Sequence, residues 1–167
     1  MSSSILSRAP AAAIAAATIS GLAVLVATTV HHVYGAWLFA TPWRLHIVFI
    51  SIPVAIAILA AIPIARMGSA PLAGQLASLV YIILDAGFVI GLIGFYEGGY
   101  NHLLPNIQYV LGVDHTLRAD LYLPPDDLIF QLTGVAQFFL GVVAAWYLWR
   151  LVGRDMARQA PYSRGVA

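Results

Sequence analysis

The residues of this 167-residue sequence best able to bind a metal are its five histidines, His31, His32, His46, His102 and His115, and its single glutamate, Glu97. Neutral imidazole and carboxylate are the usual cysteine-free ligands of zinc, iron and copper. The sequence has no cysteine, which excludes disulfides, thiolate zinc sites, iron–sulfur clusters, cysteine nucleophiles and covalent c-type haem attachment. The expected ligands are His46, Glu97, His102 and one of His31 and His32. Their metal would be copper, iron or zinc, with a single b-type haem held by two histidines as the lesser alternative. Neighbouring residues on an α-helix point about 100° apart, so only one of His31 and His32 is expected to face the bundle centre. Tyr34, Tyr96, Asn101 and His115 are expected to support the ligands from behind. The spacing matches no His-Glu-x-x-His helix, Glu-x-x-His pair or desaturase histidine box, and no phosphate loop or Gly-x-Ser-x-Gly elbow is present. The metal reading therefore stands on geometry: Glu97 and at least two ring nitrogens must come within about 5 Å of one another. The competing reading is a non-catalytic membrane subunit or small transporter whose polar cluster only orders one surface.

Such residues need a scaffold, and composition fixes its class. Hydrophobic residues make up 61% of the chain and charged ones 9%, with a mean hydropathy of +0.87. Soluble domains carry about 25% charged residues, so the solvent here is lipid. The predicted fold is an all-α bundle of four transmembrane helices in a single domain, with spans at about residues 11–33, 42–65, 71–97 and 127–150. An apolar run after Arg8 resembles a signal peptide, but it is longer than the usual 7–15-residue apolar core, and a retained first helix is expected. Thr41 is expected to cap the second span with Pro42 in its first turn, and Asp126 or Asp127 to cap the fourth. Pro53 and Pro63 are expected to face neighbouring helices or to kink the second span.

Arginine placement sets the expected orientation, since short cytoplasmic loops carry the positive excess. With the N-terminus inside, Arg8, Arg66, Arg150, Arg154, Arg158 and Arg164 are cytoplasmic, and Arg44 and Arg118 lie outside. Both termini are then inside, and every histidine and Glu97 fall at the outer boundary. A lysine-free, alanine- and arginine-rich chain suggests a GC-rich bacterial genome, hence a bacterial inner membrane and a periplasm-facing site. The net charge of +1, without a basic run, argues against nucleic acid. The expected partners are the lipid bilayer and either other membrane proteins or a second copy of the chain.

Asp85 lies deep in the third span, where an acid costs about 2.5–3.5 kcal/mol and normally faces the bundle interior. Counting along the helices places it level with Gln137 and Ser20. Apolar residues recurring from His102 to Leu111 predict a short interfacial helix over the bundle mouth, ended by Gly112, within an outer loop of residues 98–126. The pair Gly98 and Gly99 is expected to end the third span, while Gly87, Gly91 and Gly94 form a packing stripe along it. Residues 151–167 are expected to form a cytoplasmic tail.

Overall fold

The computed structural model describes residues 4–67, 70–113 and 127–159, with side chains described as far as residue 153. Every element among them is helical. Four helices are long and apolar enough to cross a membrane: Ala11–Leu38, Pro42–Arg66, Pro71–Val110 and Leu128–Gly153, the last within a helix that continues to Gln159. They are called the first to fourth long helices below. A short helix, Ile5–Arg8, precedes them and buries Leu6 against the bundle. The Ser4 hydroxyl donates to the Ala65 carbonyl at 3.2 Å and the Leu6 amide to the Ser78 hydroxyl at 3.4 Å. Arg8 and Arg66 therefore share one end of the bundle, opposite His31, His32 and Glu97.

The fourth long helix packs along both the third and the first. Its contact with the third depends on small residues, because lipid provides no hydrophobic drive to press two helices together and close backbone approach must supply the attraction. Gly94 lies against Gly141 so closely that a Cβ on either would meet the other's Cα at 2.8–2.9 Å. A Cβ at Gly98 would strike the backbone of Gln137 and Phe138. Gly98 and Gly99 thus do not end the third helix, which continues to Val110; they seat the fourth helix. The expected glycine stripe is corrected as well, since only Gly94 of the three meets another helix.

Within the third helix, Pro71–Ile83 is α-helical, Leu84–Leu103 is π-helical, and Leu104–Val110 returns to the α form. The last stretch, expected as a separate interfacial helix, is the direct continuation of the third helix. It ends with Gly112 at φ +66°, where the Val113 amide donates to the Gln108 carbonyl and the Gly112 amide to the Tyr109 carbonyl, the paired bonds of a Schellman end. The first helix closes in the same way, but with Ala40 in the left-handed region at φ 51°.

Thr41 makes no cap: its hydroxyl donates back to the Gly35 carbonyl at 3.4 Å, and a 3₁₀ turn, Pro42–Leu45, leads into the α-helix His46–Arg66. Asp127 does cap, accepting the Phe130 amide at 2.8 Å; Asp126 lies outside the described residues. Pro53 and Pro63 are exposed on the bundle's outer surface rather than turned to neighbouring helices, within a helix that continues unbroken from His46 to Arg66. The remaining outward surface is strongly apolar, including Ile19, Phe49, Leu79, Leu132 and Phe139, as a lipid-facing wall requires.

Candidate metal centre

The first helix supplies His31 and His32, both buried. The expectation that only one would turn inward fails, since His31 and His32 are 0% and 7% exposed; Glu97 Oε1 sits between His32 and His102, 3.7 Å from His32 Nε2 and 3.5 Å from His102 Nε2. His31 stands beside them, its ring centroid 4.5 Å from that of His102 and 5.4 Å from that of His32. Ligand atoms of His31, Glu97 and His102 all lie within 4.8 Å of one another, which meets the geometric requirement set by the sequence. A tetrahedral metal with bonds of 2.0–2.2 Å holds its ligand atoms roughly 3.4 Å apart, so the 3.5 Å Glu97–His102 separation already fits and His31, within 4.8 Å, needs a shift of at most about 1.4 Å.

The π-helical register makes this arrangement possible. In an α-helix, residues five apart point about 140° away from each other. Hydrogen bonding from i to i+5 widens the turn to roughly 4.4 residues, and Glu97 and His102 then share a face. Asp85, Val89, Gly94, Gly98 and His102 follow the same longer period as buried positions. His102 is wedged against the fourth helix, where a Cβ at Gly134 would run into its ring. Asn106 secures this end by donating to the His102 carbonyl and the Gln131 side-chain oxygen, both at 2.8 Å.

Hydrogen bonds around the cluster leave specific lone pairs facing inward. Asn101 donates to Glu97 Oε2 at 2.8 Å, which orients Oε1 toward the histidines. The Thr133 hydroxyl lies 2.8 and 3.0 Å from the carbonyls of Ile129 and Phe130 and 3.0 Å from His31 Nδ1. With its proton given to either carbonyl, Thr133 accepts from His31 Nδ1, and the tautomer so favoured leaves the lone pair on Nε2. That Nε2 is buried and has no hydrogen-bond partner among the described residues, as is also true of His32 Nδ1 and His102 Nδ1. Buried polar atoms are ordinarily satisfied, and a deprotonated imidazole nitrogen held by a bond at its other nitrogen is the form that ligates metals.

His46 stands farther out, more exposed, with Nδ1 donating to the Trp43 carbonyl at 2.7 Å and its ring 6.1 Å from that of His32. It does not belong to the tight group, but it lines the same cavity of about 320 Å³ as His32, Glu97 and His102. Of the expected supporting residues, Asn101 holds Glu97, whereas Tyr96 lines the cavity and stacks on Tyr100. Tyr34 donates to Asp127 Oδ1 at 3.2 Å, and His115 lies outside the described residues. The sequence reading missed Thr133, a polar residue one turn inside the fourth helix, and Arg44. Arg44 is buried at the cavity wall with its guanidinium 5.3–5.6 Å from the ring centroids of Phe39, Trp43 and Phe130.

Asp85 does not meet its expected partners. It is buried against Gly21, and neither carboxyl oxygen has a hydrogen-bond partner among the described residues. The Ser20 hydroxyl donates to the Ala16 and Ala17 carbonyls instead. Gln137 lies beside Gly98, level with the histidine cluster. Ser20 does lie at the depth of Asp85, next to Gly21; Gln137 does not, because the third helix runs on past Glu97 and the fourth begins beside that extension, so Asp127 is not level with Glu97. Comparison with protein families, with characterised proteins and with solved structures finds no match for this chain.

Proposed function

We propose that this chain is a bacterial inner-membrane protein whose periplasm-facing end holds a transition metal, for redox chemistry or metal handling. His31, Glu97 and His102 are the central ligands, His32 completes the set, and His46 serves the cavity side. The observation that carries the reading is the setting of His31: Nδ1 stands 3.0 Å from the Thr133 hydroxyl, Nε2 is buried with no hydrogen-bond partner among the described residues, and a ring nitrogen lies within 4.8 Å of a carboxylate and a second imidazole. Copper, iron and zinc all suit this donor set. Four apolar helices of spanning length support the membrane setting, and the arginine bias supports the orientation.

Metal content of protein purified in mild detergent, without a histidine tag or chelator, tests the proposal. Near-stoichiometric metal in the native protein, lost in Glu97→Gln with helicity intact, supports it. Metal-free native protein that stays empty after reconstitution supports the rival reading, in which Glu97 between His32 and His102 is a structural ion-pair network in a non-catalytic subunit.

A further inference from the structure

The cavity beside the cluster has a wall missing. The second long helix packs against the third along Pro71–Ile83 but scarcely touches Leu84–Leu103, so the two helices part toward the histidine end. The cavity fills the gap between them. Its sides are Ile47, Leu92, Ile93, Trp43, Tyr96 and Phe130, and three of these, Leu92, Tyr96 and Trp43, are 46–63% exposed. The opening faces sideways between the second and third long helices, which in a membrane is the direction of the lipid. Its volume of about 320 Å³ is that of a small-ligand site, apolar for most of its lining, with a few polar groups converging at one end. Those groups are Arg44, His32, His46 and Glu97, a set that can both donate to and accept from an oxygen substituent.

We infer that this lateral cavity admits a lipid-soluble ring compound of the benzoquinone–hydroquinone class, with its ring between Trp43, Tyr96 and Phe130, its oxygen at the Arg44–Glu97 end and its alkyl tail in the membrane. The inference deepens the metal-site reading by naming a substrate class for it, and it rests on that reading only for what the metal would then do. Aromatic walls suit a flat ring. The polar groups at one end of these apolar walls suit an oxygen on that ring, which can accept from a guanidinium or imidazole N–H and, as a hydroxyl, donate to the Glu97 carboxylate.

Calorimetric titration of the detergent-solubilised protein with a decyl-substituted benzoquinone tests the inference, with metal content measured on the same samples. Leu92→Trp blocks the mouth of the cavity without touching a proposed ligand. Leu79→Trp, equally lipid-facing but on the stretch that packs against the second helix, is the control. Saturable binding that Leu92→Trp weakens about tenfold or more, while Leu79→Trp and metal content stay unchanged, is the expected result. Absence of saturable binding, or equal effects of the two variants, overturns it. Metal without quinone binding overturns this inference alone, and cavity-dependent quinone binding by a metal-free protein overturns the metal reading alone.

Discussion

Glu97 and Gly134 make different contributions to the same cluster, and their variants should fail differently. Glu97→Gln keeps the side chain's shape but removes the charged donor, so metal should be lost while thermal stability changes little. Gly134→Ala adds one methyl group where the His102 ring lies against the fourth helix. It should displace that ring and lower metal occupancy although no ligand has been altered, and overpacking of this kind costs about 1–3 kcal/mol. Thr133→Val tests the tautomer argument, because without the hydroxyl acceptor the His31 proton is free to move to Nε2. Metal affinity should fall by about tenfold, a common cost of losing an outer partner of a ligating histidine. The ligand types could be read from the sequence, because five histidines and a single glutamate in a chain that is 61% hydrophobic are conspicuous. Thr133 could not, since a threonine inside an apolar helix ordinarily bonds only its own backbone.

The third long helix shows how far a periodicity argument reaches. Its existence follows from hydropathy alone, but its register does not. An α-helical wheel separates Glu97 from His102 and makes Gly98 and Gly99 look like a terminus, whereas the π-helical turn brings the first pair together and turns Gly98 to the fourth helix. A sequence read at 3.6 residues per turn contains no signal for a turn of roughly 4.4. Gly98→Leu should force the third and fourth helices apart and destabilise the bundle by about 1–3 kcal/mol or more, measurable as an earlier unfolding midpoint in a denaturing detergent. Ala40→Gly should act in the opposite direction. The left-handed backbone at φ 51° costs a residue with a Cβ about 1 kcal/mol that glycine does not incur, so the same assay should show a later midpoint.

For the molecule as a whole, the four helices of spanning length and the all-helical class were legible because bilayer thickness and backbone satisfaction leave few alternatives. The relative depth of the helices was not, since it depends on where contacts such as Gly94 with Gly141 lock one helix against another. That is why Asp85 and Gln137, expected face to face, lie at different levels. Having no hydrogen bond to lose, Asp85→Asn should change stability by less than about 1 kcal/mol, whereas a proton-carrying Asp85 would reveal itself as lost activity without lost stability. The absence of native cysteine makes the proposed orientation directly testable with single substitutions. With both termini inside, Val110→Cys should react with a membrane-impermeant maleimide on intact spheroplasts, and Met67→Cys should react only after lysis.

Elemental analysis of tag-free protein, native and Glu97→Gln, decides the central claim most directly. A metal bound at close to one atom per chain in the native protein and absent from a still-helical variant is the predicted result. Equal metal content in the two proteins, or none in either after reconstitution with copper, iron and zinc, would contradict a metal centre at His31, Glu97 and His102.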